Sequence, residues 1–352
     1  MNKEILDDLI RGCIYGGLLG DCYGYVFEDR PIASIEAIQT LIDNSLSKSE
    51  TKTLIYTDDT QMALAALRSI KEKKEYIAKD VATNFANDYF NDGVHRYYGG
   101  SIKGNFQKFL SDQVSDIYSH GAKMFGNSGS FGNGGAMRAA PLAVYAFKKD
   151  VKDFEKLIVD ATRLTHTNPL AIHGALVIAF GVRFCMQRKL SNEKFTSEQF
   201  LDHCLQMLKE SVYGKTLHPE RDWDNSLKRY SKAFQVVRGF LKREDVSVKE
   251  VREKIGCDLE AIHSVPVAVY SFLLTMKTQS SIKYKSPILK CLVYALSLGD
   301  DTDSNACMAC ALSGAYYGQE GNANIPKDLL ERCERLPMIN EYIDWLIEEN
   351  SK

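Results

Sequence analysis

A chain of 352 residues is long enough for two or three domains. No Pro-, Ser- or Gly-rich linker, low-complexity tract or charge block offers a place to divide it, so one domain over 1–352 is the simpler reading; 45% hydrophobic and 26% charged residues suit a large core under an ordinary aqueous surface. The 44 Lys and Arg against 46 Asp and Glu leave a formal net charge of −2, which excludes the electrostatic footprint of a protein that grips duplex nucleic acid or an anionic membrane.

Leu6, Leu9, Ile10, Cys13, Ile14 and Leu18 trace one face of a first helix. The same stretch carries Gly12, Gly16, Gly17 and Gly20, and each Gly inside a helix costs about 1 kcal/mol relative to Ala. A neighbouring backbone is therefore expected to pack very close there. Asp7, Asp8 and Arg11 before the apolar stretch, with Gly20-Asp21 after it, make a poor secretory signal. Glu28 ends the apolar passage; a lone Glu in such a place is most often a surface residue. The polar segment that follows, 29–53, has weak helical periodicity and is expected to be mobile.

Tyr56-Thr57-Asp58-Asp59-Thr60 comes next, followed by Met62, Ala63, Ala66, Leu67 and Ile70 at helical spacing. An acidic turn entering a buried helix reads on its own as a cap. An amphipathic helix is predicted over 72–92 through Tyr76, Ile77, Val81, Phe85 and Tyr89, and Gly99-Gly100-Ser101 breaks it. The run 126–138, GNSGSFGNGGAMR, is rich enough in Gly for backbone N–H groups to converge on an anion, and helix is expected to resume after it so that a phosphate rests at its start. A flexible loop fits the composition equally. The run is neither G-x-G-x-x-G after a strand nor a Walker A loop.

Phe154 to Leu164 mark a helix that ends before His166, and a very apolar helix spans 170–186; a lone His at such a turn is more often a hydrogen-bonded structural side chain than a catalyst. Three or four amphipathic helices are expected over 196–276, with Trp223, Tyr230 and Phe234 in the core and Gly256 as a stop. Ile288 to Leu296 and Ala306 to Ala315 read as buried helices on either side of Gly299-Asp300-Asp301-Thr302-Asp303-Ser304. Capping by Asp303 or Ser304 accounts for one acid, not three, and each unpaired buried anion would cost several kcal/mol. A cation is the natural partner, and oxygen donors without a His or Cys pair favour Mg²⁺, Ca²⁺ or Mn²⁺ over Zn²⁺. Two such acidic turns suggest two halves of one polynuclear site.

The nine cysteines fall mostly inside apolar helical patterns and read as reduced core residues, Cys307-x-x-Cys310 included. With no run of 18 apolar residues, an intracellular soluble protein is expected. No convincing period-2 segment occurs, so the fold is predicted all-α around a buried bundle.

Taken together, Gly20-Asp21 with Glu28, Tyr56 to Thr60, Gly129 to Arg138, Leu164-Thr165-His166 and Asp301 to Ser304 resemble, in order and spacing, the ADP-ribosylglycohydrolase family over nearly the whole chain. The Glu28 segment is most similar to the subtype that removes ADP-ribose from serine, degrades poly(ADP-ribose) and hydrolyses O-acetyl-ADP-ribose. The resemblance implies a single compact orthogonal helical domain, monomeric, acting on ADP-ribosylated proteins in the cytoplasm or nucleus, with the mitochondrial matrix also open to it, and a place in the DNA damage response. It further implies two Mg²⁺ ions, replaceable by Mn²⁺, held by Thr57, Asp58, Asp59, Asp301, Asp303 and Ser304, with Asp303 bridging and Glu28 joining at one metal. Gly129, Ser130, Phe131, Gly132, Asn133, Gly134 and Gly135 would cradle the diphosphate and adenosine, His166 would face the bound ADP-ribose, and Asp58 would also touch substrate. Asp58 and Glu28 would handle protons. The sequence departs from the subtype at Ser304 for Thr, Phe131 for Tyr, Asp300 for Gly, which adds a charge beside the metals, and Ser101 for Gly.

Hydrolysis at the anomeric carbon passes through an oxocarbenium-like state. Other readings are an arginine-linked specificity, a catalytically weak ADP-ribose binder, for which Asp300 speaks, and a phosphoesterase with substrate phosphates at the metals.

Overall fold

In this computed structural model, which describes residues 2–28, 32–111, 116–277, 281–320 and 325–352, two helices meet through their backbones. Lys3–Gly24 and Thr302–Tyr317 pack against each other. Gly12, Gly16, Gly20 and Gly24 recur every fourth residue on the first, so they share a face. A Cβ added to Gly16 would stand 2.2 Å from the carbonyl oxygen of Cys310, and one on Gly20 would stand 2.2 Å from that of Ala306. From Gly12 beside Gly318 to Gly24 beside Asp303, the pairing runs antiparallel. The end of one helix therefore lies against the start of the other, and the Thr302 hydroxyl donates to the Gly24 carbonyl at 2.8 Å, satisfying an orphan helix-end acceptor. The close approach expected from the glycines is present.

Pro169–Leu190, Ala261–Leu274 and Pro287–Ser297 pack around Thr302–Tyr317. Pro169–Leu190 is long and apolar enough to cross a membrane, but here it is a core helix, almost wholly buried. The outer helices lay their apolar faces on this centre, and one hydrophobic cluster extends from Leu6 to Leu346. Among the described residues there is no strand, only isolated bridges between Leu54 and Cys333 and between Gly132 and Glu260. All nine cysteines are buried and none is paired in a disulfide.

Three expectations need correction. The helix predicted over 72–92 is two: Asp58–Lys73 stops where Lys74 turns left-handed (φ 65°) and returns its N–H to Ile70, and Ala78–Asn91 begins afterwards. No Gly marks that stop, so periodicity alone ran across it. The segment 29–53, expected to be mobile, contains the helix Ile35–Leu46, capped by Ser34 and anchored by buried Ile38 and Ile42; residues 29–31 lie outside those described. Between 196 and 276 there are five helices, because the short turn Tyr213–Leu217 carries too few residues to show a period. Gly256, at φ 90°, does end one of them.

Candidate active site

The first acidic turn is held almost entirely by its backbone. Tyr56 N–H donates to Glu334 Oε1 at 2.8 Å, Arg96 donates to the Tyr56 carbonyl at 2.6 Å, and Asp58 N–H donates to the Arg96 carbonyl at 2.8 Å. Asp21 completes the clamp, its two oxygens accepting the amides of Thr57 at 2.8 Å and Thr60 at 3.0 Å. Asp21 is fully buried and was not among the predicted site residues; the signal for it is a carboxylate in the last turn of an apolar helix, buried from water. Thr57 caps the helix, accepting weakly from Asp59 N–H at 3.4 Å.

The second turn is not a cap in the ordinary sense. Asp301 holds the N-cap position of Thr302–Tyr317, but its side chain makes no capping bond. It accepts from Asn133 Nδ2 at 2.5 Å instead. Asn133 also donates to Ser264 Oγ (2.8 Å), Ser264 to Asn305 Oδ1 (2.8 Å), and Asn305 to the Cys257 carbonyl (2.7 Å), a closed buried chain. The Ser304 hydroxyl reaches across to Asp59 Oδ1 at 3.1 Å, so the two acidic turns touch.

Burial pushes Asp58, Asp59 and Asp303 well above the usual carboxylate range, and the charge of Asp303 on the other two adds to it. Burial also raises Asp301, to about 6, against the opposing hydrogen bonds from Asp303 and Asn133. Asp59 Oδ2 is buried with no hydrogen-bond partner among the described residues. Carboxylates and a hydroxyl pressed together, with an orphaned oxygen, are a donor set that fits a hard divalent cation. Among the described residues, no three acidic, His or Cys side chains converge as ligands of one point.

The Gly-rich run lies against 257–261. Gly132 forms a bridge with Glu260, Asn133 N–H donates to the Leu259 carbonyl at 2.9 Å and Ala261 N–H to that of Phe131 at 3.0 Å. Gly129 sits at φ 70°, and a Cβ on it would meet Thr167 Oγ1 at 2.0 Å. A Cβ on Gly134 would meet the His166 ring at 2.5 Å and one on Gly135 would meet Thr162. Helix resumes directly after the run, as expected: the 3₁₀ turn Asn133–Gly135 lies inside it, and the α-helix Ala139–Tyr145 begins at the next residue. Two loop amides are also spent inside the protein, Gly132 on Ser130 Oγ and Asn133 on Leu259.

Both halves meet at a cavity of about 330 Å³. Glu28, Asp58, Asp301, Asp303 and Ser304 line one side, and Ser130, Gly132, Asn133, Gly134 and His166 the other. Thr57, Asp59, Gly129, Phe131 and Gly135 do not line it. Phe125 does line the cavity, 52% exposed, with its ring centroid 5.9 Å from that of Phe131. It was missed because it reads as an ordinary apolar residue; its left-handed backbone, φ 51°, shows only in three dimensions. Ser101 lines the rim. Asp300, expected to add charge beside the metals, has its carboxylate engaged by Arg252 at 3.2 Å.

A model of the ADP-ribosylglycohydrolase family matches residues 2–352. The chain is 34% identical to ADP-ribosylhydrolase ARH3 of Gallus gallus over 335 residues, 92% of this chain and 88% of that protein. It is 32% identical to the ADP-ribosylhydrolase ARH3 of Homo sapiens over 334 residues, again 92% and 88%. A solved ADP-ribosylglycohydrolase-related protein complex is similar in fold, with a TM-score of 0.66 at 20% identity over 98% of this chain and 99% of that one.

Proposed function

The chain belongs to the ADP-ribosylglycohydrolase family, and from that premise we propose that it hydrolyses the bond between the anomeric ribose carbon of ADP-ribose and its acceptor, with serine-linked ADP-ribose on proteins, poly(ADP-ribose) and O-acetyl-ADP-ribose as substrates. The observation that supports this most is the Asn133–Asp301 hydrogen bond, 2.5 Å long. It fastens a glycine-rich loop of the kind that takes a diphosphate directly to an acid cluster of the kind that takes cations, so one bound ADP-ribose would span both.

Water attacks the anomeric carbon while the bond to the acceptor oxygen breaks, giving ADP-ribose and free serine. In this reading the loop 130–134 and His166 bind the diphosphate and its ribose, and the Phe125–Phe131 pair takes the adenine. Thr57, Asp58, Asp59, Asp301, Asp303 and Ser304, with Glu28, would hold two Mg²⁺ ions, whose bound chemistry is to neutralise the acids, hold ribose hydroxyls and polarise a water. Asp58 and Glu28, both lining the cavity, would take the proton from water and return one to the leaving serine oxygen.

Serine-linked ADP-ribosyl peptide, poly(ADP-ribose), O-acetyl-ADP-ribose and an arginine-linked control, each with Mg²⁺ and with EDTA, test the reading. Free ADP-ribose is expected from the first three only, and none with EDTA. Nucleotide monophosphate products would point to a phosphoesterase, and preference for the arginine linkage would overturn the subtype.

A further inference from the structure

Beneath the Gly-rich loop lies an Arg that contributes no ligand to the proposed chemistry. Arg138 is 1% exposed, one of the largest fully buried side chains in the protein. Its guanidinium donates to the Gly134 carbonyl, to the Ala161 carbonyl at 3.0 Å and to the Thr165 hydroxyl at 2.8 Å, with the Phe85 ring 5.2 Å away. The Thr165 hydroxyl in turn lies 2.7 Å from His166 Nδ1.

The direction of that last bond follows from donor chemistry. A guanidinium only donates, so Thr165 Oγ1 accepts from Arg138 and has one proton of its own to give. Given to Nδ1, that proton makes Nδ1 an acceptor and leaves the ring hydrogen on Nε2. The Nε2 edge lies beside Gly132 and Gly134, where a Cβ would intrude to 3.4 Å and 2.9 Å, so the glycines keep the space in front of it clear. We infer that Arg138 is a positioning residue, which acts through Thr165 to fix His166 as the Nε2–H tautomer and so presents one neutral N–H donor to an oxygen of the bound ADP-ribose. The inference rests on the function proposed above and assigns His166 a donor's role, not a base's. Burial and the nearby Arg138 charge depress the imidazole to about 3, in keeping with a ring that stays neutral while the enzyme works.

Ring-nitrogen NMR of the ¹⁵N-histidine protein reads the tautomer without any activity, His166 being assigned by the signal lost in His166→Gln. The wild type is expected to show Nε2–H alone, unchanged from about pH 5 to about pH 8. Thr165→Val should give mixed tautomers and weaken ADP-ribose binding by calorimetry about 3- to 10-fold, the scale of one neutral hydrogen bond, and Thr165→Ser should restore both. Nδ1–H in the wild type overturns the relay, as does a Thr165→Val protein that keeps both the wild-type tautomer and affinity. Should the wild type show Nε2–H yet bind no ADP-ribose, the functional reading and the donor role fall while the tautomer lock stands.

Discussion

A Cβ on Gly24 would stand 2.4 Å from the Cα of Asp303. Helix end and helix start are thus in backbone contact where the acids lie, and the glycine row that permits it is as much part of the site as the carboxylates.

Gly20→Ala should destabilise the protein by more than about 2 kcal/mol, since the obstruction is backbone and cannot swing aside. Gly104→Ala is the control: Gly104 lies inside the helix Ile102–Phe109 with nothing within 4 Å of a new Cβ, so it should stabilise by about 0.5–1 kcal/mol. Urea unfolding of the two variants, with opposite signs expected, decides this.

Asp301→Asn and Asp303→Asn should abolish hydrolysis and leave the helical circular dichroism unchanged. Asp301 is raised from 3.8 to about 6 in the folded protein. The native state then holds the extra proton in that interval, so without a cation this contribution to stability is present below 3.8 and is lost as pH rises through about 6. Removing the carboxyl should flatten the fall of Tm with pH there. A cation displaces those protons, so Mg²⁺ should raise the wild-type Tm more at about pH 8 than at about pH 5. Equal shifts at both pH values would contradict metal binding by these acids.

Phe131→Ala should weaken ADP-ribose binding by about 1–3 kcal/mol, the range for losing a base-stacking ring, and Phe131→Tyr should be nearly silent. Phe125→Ala should behave like Phe131→Ala, because its ring is the one of the pair that faces the cavity. Calorimetry in which both Ala variants bind as wild type would place the adenine elsewhere.

Glu28 follows the 3₁₀ turn Tyr25–Phe27, lines the cavity and adds its charge to the field that raises Asp58 and Asp301. If it holds a metal until substrate replaces it, Glu28→Ala should bind ADP-ribose as well as wild type or better, and lose most turnover of serine-linked peptide. Wild-type turnover in the variant would remove Glu28 from the mechanism.

Asp300→Gly should leave both activity and stability within about 0.5 kcal/mol of wild type. Relief of a left-handed Asp at φ 60° offsets the loss of one exposed ion pair with Arg252. A large loss of turnover would show that its charge does reach the metals.

The sequence alone determined the all-α class, the closeness of a neighbour to the first helix, and that the two acidic turns carry more acid than a cap uses. These follow from local rules: apolar residues at helical spacing, glycines that destabilise a helix unless something presses on them, and acids too numerous for a cap. The tertiary structure decided which partner each group found. That Asp21 clamps the Thr57 turn, that Asn133 rather than a helix amide takes Asp301, that Phe125 faces the cavity and that Arg138 reaches His166 through Thr165 all join residues far apart in sequence or hidden in ordinary composition. Hydrogen-bond direction and burial are properties of the packed chain, and no periodicity carries them.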